Sequence, residues 1–347
     1  MPRTPYRVAV VALAAVAAAG VARFVNDSEA STGERQAVPA ATVTPAEPAP
    51  AAPADTPAAP VDMPATNDTP AAADAVATTT TTTAAPPPEI HATLSPGDGE
   101  TVGVGMPATV TFDRAVAAGD RPAVEARLSV TTNPPVEGDW RWITPAVVHW
   151  RPARYWAPGT VVGVRSDLRG LTVGDAAGAG ERAVQFRIGD AHISTVDVAA
   201  HQMTVTSNGA VVRVIPMSAG RDRYPTHSGV HLALEKSRLV TMDSSTVGIP
   251  RNSPGGYYRK VAWATRLSYS GTYIHAAPWS AGAQGERNVS HGCINVSTAD
   301  AQWFYGFTQR GDVVDVLNSP ARPLLYDPGM ADWNIPWEQW KAGDTAR

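Results

Sequence analysis

The sequence predicts a mainly β protein with two successive β-rich domains behind a structureless lead-in, and three observations support that reading. The 347 residues are long enough for two separate cores. With 31 prolines, 29 glycines and 17% charged residues, the composition disfavours long helices and suits turns and linkers. Past residue 88, short β-type runs recur between Gly, Pro and Asp turn signals, with a single good helical stretch among them.

Residues 1–26 read as a signal peptide or membrane anchor. Arg3 and Arg7 precede the apolar run Val8 to Ala22, and Arg23 follows it, the order that insertion machinery recognises. The run is short for an untilted span, so a cleaved signal and a retained anchor both stay open. Residues 27–88 are Ala, Pro and Thr with scattered acids and almost no large apolar side chains to offset ordering entropy, which predicts a disordered linker. Charge divides the same way. The first segment carries +3 and the linker −7, leaving the rest neutral within a total of −4. A neutral folded part has no electrostatic footprint for nucleic acid.

Residues 89–189 predict an antiparallel sandwich. Pro96-Gly97-Asp98-Gly99 is a turn before Thr101 to Val104, and Ala108 to Phe112 alternates in strand fashion. Further runs follow at Ala126 to Thr131, Trp140 to Ile143, Val147 to Trp150, Thr160 to Val164 and Ala183 to Ile188. Trp140, Trp142, Trp150 and Trp156 are expected to pack in the core and at a domain interface. No titratable cluster stands out, so this part reads as a spacer.

Residues 190–319 predict a second β domain. Its strand candidates are His192 to Val198, His201 to Ser207, Ala210 to Met217, Val230 to Lys236, Arg238 to Met242, Thr265 to Tyr269 and Thr272 to His275, with Val313 to Leu317 closing. Thr298 to Gln309 is the principal helix, with Trp303, Phe304 and Phe307 at core spacing. Residues 320–347 form a C-terminal extension, in which Trp333, Trp337 and Trp340 are expected to brace the two domains. His91, His149, His192, His201, His227 and His231 show no partner pattern.

Cys293 is the only cysteine, so it has no internal disulfide partner. On count alone it is as readily an inert buried thiol. Its neighbours favour a reactive one: it lies in Ser290-His291-Gly292-Cys293-Ile294-Asn295, with His275 upstream in Tyr273-Ile274-His275. A thiol is mostly protonated at neutral pH, so a nucleophile here needs an imidazole or a positive dipole, and two imidazoles are at hand. Gly292 permits a strained turn and close backbone approach, and the N–H groups of His291, Gly292 and Cys293 are candidates to hold an oxyanion.

The segment from His275 to Asn295 resembles the signature of the L,D-transpeptidase (YkuD-like) family. Met242-Asp243-Ser244-Ser245-Thr246, Asn252-Ser253-Pro254, His275-Ala276-Ala277-Pro278-Trp279-Ser280 and Asp332-Trp333-Asn334-Ile335-Pro336-Trp337 agree with it. They are similar to the peptidoglycan cross-linking branch that carries an Ig-like domain before the catalytic one, over residues 89–347. The resemblance implies an Ig-like β-sandwich at 89–189 followed by a β-rich catalytic domain at 190–319 on the extracytoplasmic side of a membrane. It implies a cysteine acyltransferase without a metal or cofactor. The donor is a tetrapeptide stem that loses D-Ala, the acceptor is the side-chain amine of meso-diaminopimelate, and the product is a 3→3 cross-link. Carbapenems are implied as covalent inhibitors.

By the same resemblance, Cys293 is the nucleophile and His275 the acid/base, oriented by the carbonyl of Ala276. His291 shapes the pocket, and Gly292 with Tyr257 serves the oxyanion. Ser270, Gly271, Asn295, Ser290 and Met242 contact substrate. Trp279 either walls the acceptor path or packs structurally. Val247 stands where close relatives carry an aromatic lid residue, so it should close the pocket less fully.

Two other functions remain open from the sequence. A cysteine L,D-carboxypeptidase or hydrolase would use the same Cys293 and His275 but admit water, and a non-catalytic wall-binding module would not need the thiol. A zinc site from His275, His291 and Cys293 lacks a fourth ligand, and no C-x-x-C or H-E-x-x-H spacing is present.

Overall fold

The computed structural model describes residues 86–325 and 330–343, so the N-terminal apolar run and the linker up to residue 85 lie outside the described residues. Within them the protein is mainly β, and the described residues form one compact unit. No described helix is long and apolar enough to cross a membrane.

A small three-stranded sheet and two four-stranded ones build the first half. One orders Ala92–Ser95, Ala108–Phe112, Val147–Pro152 and Gly138–Thr144, all antiparallel. The other orders Thr101–Val102, Glu181–Ile188, Val161–Asp167 and Leu128–Asn133. Alternation along these strands turns Val110, Val148, Val162, Val164 and Phe186 into a shared core, the arrangement of a β-sandwich. Trp142, Trp150 and Trp156 are buried as expected, and the Trp156 Nε1–H donates to the Met106 carbonyl at 2.7 Å. A short helix at Arg121–Glu125, with Pro122 in its first turn, delays the next strand to Leu128. The sequence reading began that strand at Ala126.

The second half holds two sheets with a helix packed on one of them. A five-stranded sheet orders Ala210–Pro216, Gln202–Ser207, His192–Asp197, Val313–Leu317 and Gly229–Leu232. A four-stranded sheet orders Lys236–Asp243, Tyr258–Arg266, Tyr273–Ala276 and Ile294–Val296. The helix Thr298–Phe307 starts at Ser297, whose Oγ accepts from the Asp300 N–H at 3.0 Å. It buries Ala301 and Phe304 against the second sheet's strands. Trp303 is only half-buried, because it stacks on Phe307 at 4.7 Å and lies under the Arg213 guanidinium at the surface.

The cores of the two halves are not separate. Leu232, Leu234 and Val313 belong to the same apolar cluster as the sandwich residues. Backbone bonds from Gly103 N–H to the Arg310 carbonyl (2.8 Å) and from Gly105 N–H to the Gly311 carbonyl (2.9 Å) stitch the seam. The C-terminal segment also fastens there. Trp340 is fully buried, and Arg151 lies over the Trp333 and Trp340 rings at 4.6 and 4.5 Å. His149 and His192, which had no visible partner in sequence, make buried pairs with Asp332 (2.8 Å) and Asp312 (3.0 Å).

Candidate active site

Parallel pairing of Tyr273–Ala276 with Ile294–Val296 sets His275 opposite Asn295, and Cys293 ends the turn that feeds the second of these strands. Hydrogen bonds hold the turn from inside. Ser290 Oγ accepts from the Gly292 N–H (3.0 Å) and donates to the Cys293 carbonyl (2.6 Å), and Thr226 Oγ1 donates to the Gly292 carbonyl (2.9 Å). Gly292 has φ +119°, a conformation that side chains disfavour, which is why the turn uses glycine there.

His275 is 4% exposed, and its Nδ1 lies 3.0 Å from the Ala276 carbonyl. A carbonyl only accepts, so Nδ1 carries the proton and Nε2 has a free lone pair. Burial lowers the imidazole pKa, the Ala276 bond opposes that shift, and the positive charge of Arg259 lowers it further. The ring is therefore neutral near pH 7.

The Cys293 Sγ lies 3.7 Å from the Gly271 carbonyl. Burial pushes its pKa up to about 11, opposed by a hydrogen bond from the Tyr273 backbone. The sequence reading looked to an imidazole or a positive dipole for thiolate stability. The helix begins only at Thr298, beyond the strand Ile294–Val296, roughly 16 Å of extended chain after Cys293. The resting site pairs a neutral thiol with a neutral imidazole.

His291 has a different environment. Its Nε2 accepts from Arg221 Nη2 at 2.6 Å, and its ring lies between those of Tyr224 (4.8 Å) and Tyr257 (4.9 Å). Burial and then the Arg221 charge lower its pKa, so it stays neutral with that lone pair occupied.

A cavity of about 550 Å³ opens beside the thiol. It brings together Met242, Tyr257, His275, Trp279, Ser290, His291, Cys293 and Asn295 of the residues singled out from sequence. Ser270 and Gly271 do not line it. They form a turn beside the sulfur, where Gly271 has φ +103° and offers its carbonyl. The Asn295 amide donates to Ser280 Oγ (3.1 Å) and is itself buried.

One wall of the cavity comes from the hairpin of Lys236–Asp243 and Tyr258–Arg266 and the loop that joins them. Asp243 caps the turn at Ser244–Val247 and pairs with Arg251, which holds its carboxyl well below the usual range. Val247 is exposed at the end of that turn.

Sequence reasoning missed Arg259, Val261 and Arg287 on the cavity wall. The signal was present for the first two. The sequence reading put the strand at Thr265 to Tyr269, whereas it runs Tyr258–Arg266, and period-two alternation then aims Tyr257, Arg259 and Val261 the same way. Among the described residues no group of three or more His, Cys, Asp or Glu is placed to hold a metal.

Comparison with known proteins agrees with this architecture. A family model for the L,D-transpeptidase catalytic domain matches residues 191–316, and one for a bacterial Ig domain matches residues 61–172. L,D-transpeptidase 2 of Mycobacterium tuberculosis is 48% identical over 252 residues, covering 72% of this chain and 61% of that relative's length. L,D-transpeptidase 1 of the same organism is 42% identical over 226 residues, covering 65% of this chain and 84% of the relative. The solved structure of LdtMt1 with imipenem superposes with a TM-score of 0.58 at 40% identity, covering 67% of this chain and all of that one. That of L,D-transpeptidase 3 from M. tuberculosis with a faropenem-derived adduct gives a TM-score of 0.56 at 34% identity, covering 66% of this chain and 97% of that one. With fold, cysteine turn and overall similarity in agreement, the chain belongs to the L,D-transpeptidase family of enzymes and carries an Ig-like domain ahead of the catalytic one.

Proposed function

We propose that the protein is an extracytoplasmic peptidoglycan L,D-transpeptidase that forms 3→3 cross-links through a thioester on Cys293. The observation that carries the reading is the shared cavity wall of Cys293 and His275, with the imidazole's Nδ1–H held by Ala276 so that Nε2 is free. His275 takes the thiol proton as sulfur attacks the carbonyl between diaminopimelate and D-Ala of a tetrapeptide stem. The tetrahedral oxyanion is held by the Cys293 N–H and the Tyr257 hydroxyl. Gly292 N–H joins them if it leaves Ser290 Oγ. The imidazolium then returns the proton to the departing D-Ala amine. In the second half the side-chain amine of another stem attacks the thioester and His275 accepts its proton, so the amide forms and the thiol is restored. No ATP is needed, because the thioester conserves the acyl potential of the broken bond.

In this reading Cys293, His275 and Gly292 act in catalysis, and His291 acts through the pocket it shapes. Met242, Tyr257, Trp279, Ser290 and Asn295 contact substrate from the cavity, and Ser270 and Gly271 contact it from the turn beside the sulfur. Residues 1–26 are the export signal or anchor, 27–88 the linker, 89–189 the Ig-like domain, 190–319 the catalytic domain and 320–347 the extension. Relatives solved with imipenem and with a faropenem-derived adduct support β-lactams as covalent ligands.

Intact-mass measurement tests the proposal. A carbapenem should add its mass to the protein and not to Cys293→Ala, and a tetrapeptide stem should yield a joined dimer with loss of D-Ala. Trimmed peptide without dimer would make the enzyme a hydrolase. An adduct retained by Cys293→Ala would remove Cys293 as nucleophile.

A further inference from the structure

The wall of the Cys293 cavity contains two guanidiniums, Arg259 and Arg287, and no Asp or Glu. Arg221 is also nearby, with one of its N–H groups occupied by His291. Among the described residues neither Arg259 nor Arg287 makes an ion pair with a carboxylate, whereas Arg213, Arg251 and Arg310 in the same half are each paired. A concave wall with fixed positive charge and no acid attracts an anion rather than a cation.

Arg259 is held in a defined pose. Its guanidinium lies 4.3 Å from the Trp279 ring centroid, and Trp279 is 48% exposed. Stacking occupies the flat face of a guanidinium and leaves its edge N–H groups free, in the fork geometry that fits a carboxylate bidentately. The same indole stacks on His275, with ring centroids 6.0 Å apart and planes at 28°. One tryptophan thus ties the cation to the reacting imidazole. The Arg259 charge also reaches that ring, since it contributes to the lowered pKa of His275.

We infer that Arg259 and Arg287 form a carboxylate-binding subsite on the wall of the Cys293 cavity, which reads a free carboxylate of the peptide stem close to the reacting bond. The inference rests on the transpeptidase reading and adds a specificity element to it. Both partners in that reaction offer such a group. In the donor, the carboxylate of the terminal D-Ala is one α-carbon beyond the scissile amide, and a longer stem would present an uncharged amide there. In the acceptor, the carbon bearing the nucleophilic amine also bears a carboxylate. The occupied subsite has an added effect: a bound carboxylate offsets the Arg259 charge that His275 experiences, so substrate raises the basicity of the group that must take the thiol proton.

The test uses the full chain with Arg259→Gln, Arg287→Gln, the double variant and Arg259→Lys, each checked for an unchanged melting temperature. Transpeptidation is followed by mass for two matched substrate pairs: donor tetrapeptide as free acid or C-terminal amide, and acceptor diamino acid as free acid or amide. The wild type should prefer the acid in at least one pair by roughly 10- to 100-fold in kcat/KM, the size expected for a charge-assisted contact. In the double variant that preference should fall to within about threefold while the amide's rate is kept, and Arg259→Lys should restore part of it. The pair that loses its preference identifies the source of the carboxylate. Arg259→Gln should also shift the acid limb of kcat/KM to higher pH, which a purely structural residue would not do. Equal losses for acid and amide, or a wild type indifferent to both pairs, would overturn the inference. If the wild type shows no turnover at all, the transpeptidase reading fails instead, and calorimetry on Cys293→Ala decides the subsite separately: tighter binding of the tetrapeptide acid than of its amide, lost on adding the two Gln substitutions, upholds it, and equal binding refutes it.

Discussion

The Cys293 thiol faces the Gly271 carbonyl, with Sγ and O 3.7 Å apart, an arrangement that favours a sulfur carrying its proton over an anionic one. Burial works in the same direction, pushing the thiol up to about 11. In the proposed mechanism deprotonation thus belongs to the moment of attack, with His275 as acceptor.

Alkylation of Cys293 by iodoacetamide should therefore rise about tenfold per pH unit from pH 7 to 10, following the thiolate fraction, without a plateau near the ordinary 8.5. A plateau already reached at pH 6 would reveal a preformed ion pair. The folded pKa lies above the unfolded one, so the thiol's contribution to stability is intact below about 8.5 and lost as pH rises through about 11. Cys293→Ala should flatten that alkaline decline in a thermal melt.

His275 is neutral by burial, so the acid limb of kcat/KM should have its midpoint below the ordinary imidazole value of about 6.5. Removing it in His275→Ala should cost roughly 10²- to 10⁴-fold. In His291→Ala the loss should be nearer tenfold and the limb should stay, because Arg221 already occupies Nε2. Loss of the acid limb in the second variant would exchange the two roles.

Ser290→Ala removes the hydroxyl that joins Gly292 N–H to the Cys293 carbonyl. With both backbone groups left short of a partner, stability should fall by about 1–3 kcal/mol. Carbapenem acylation should slow as the Cys293 turn loosens. A melt and a stopped-flow trace on the same variant check both.

At Gly103, an added methyl group would sit 2.2 Å from the Asp312 backbone nitrogen and 2.3 Å from its carboxyl. Gly103→Ala should therefore destabilise the protein by about 1–3 kcal/mol or more, as overpacking does. Gly119→Ala meets nothing within 4 Å and should leave the melting temperature where it was.

Local pattern accounts for what was legible in the sequence. The strands Ala108–Phe112 and Val313–Leu317 match their expected bounds because alternation and flanking turn residues speak for the same limits. The helix was legible from its apolar spacing, although it was expected to run to Gln309 and ends at Phe307, while its Ser297 cap went unread. The strand Tyr258–Arg266 was not, since Arg259 and Lys260 interrupt its apolar signal while serving a cavity on one side and solvent on the other. The partners of His149 and His192 are 183 and 120 residues away in the chain, where no window of sequence reveals them. The cysteine turn could be read as a motif, but the sulfur's protonation could not, because that depends on how much water the fold removes.

The apolar cluster that joins Leu232, Leu234 and Val313 to the sandwich makes the Ig-like portion more than a passenger. A fragment begun at residue 190 would leave those three side chains wet, and it should clump or melt early. The intact chain should give one calorimetric peak for both halves. Heat that loosens the sandwich would thereby silence the enzyme, even though the thiol and imidazole lie entirely in the other half.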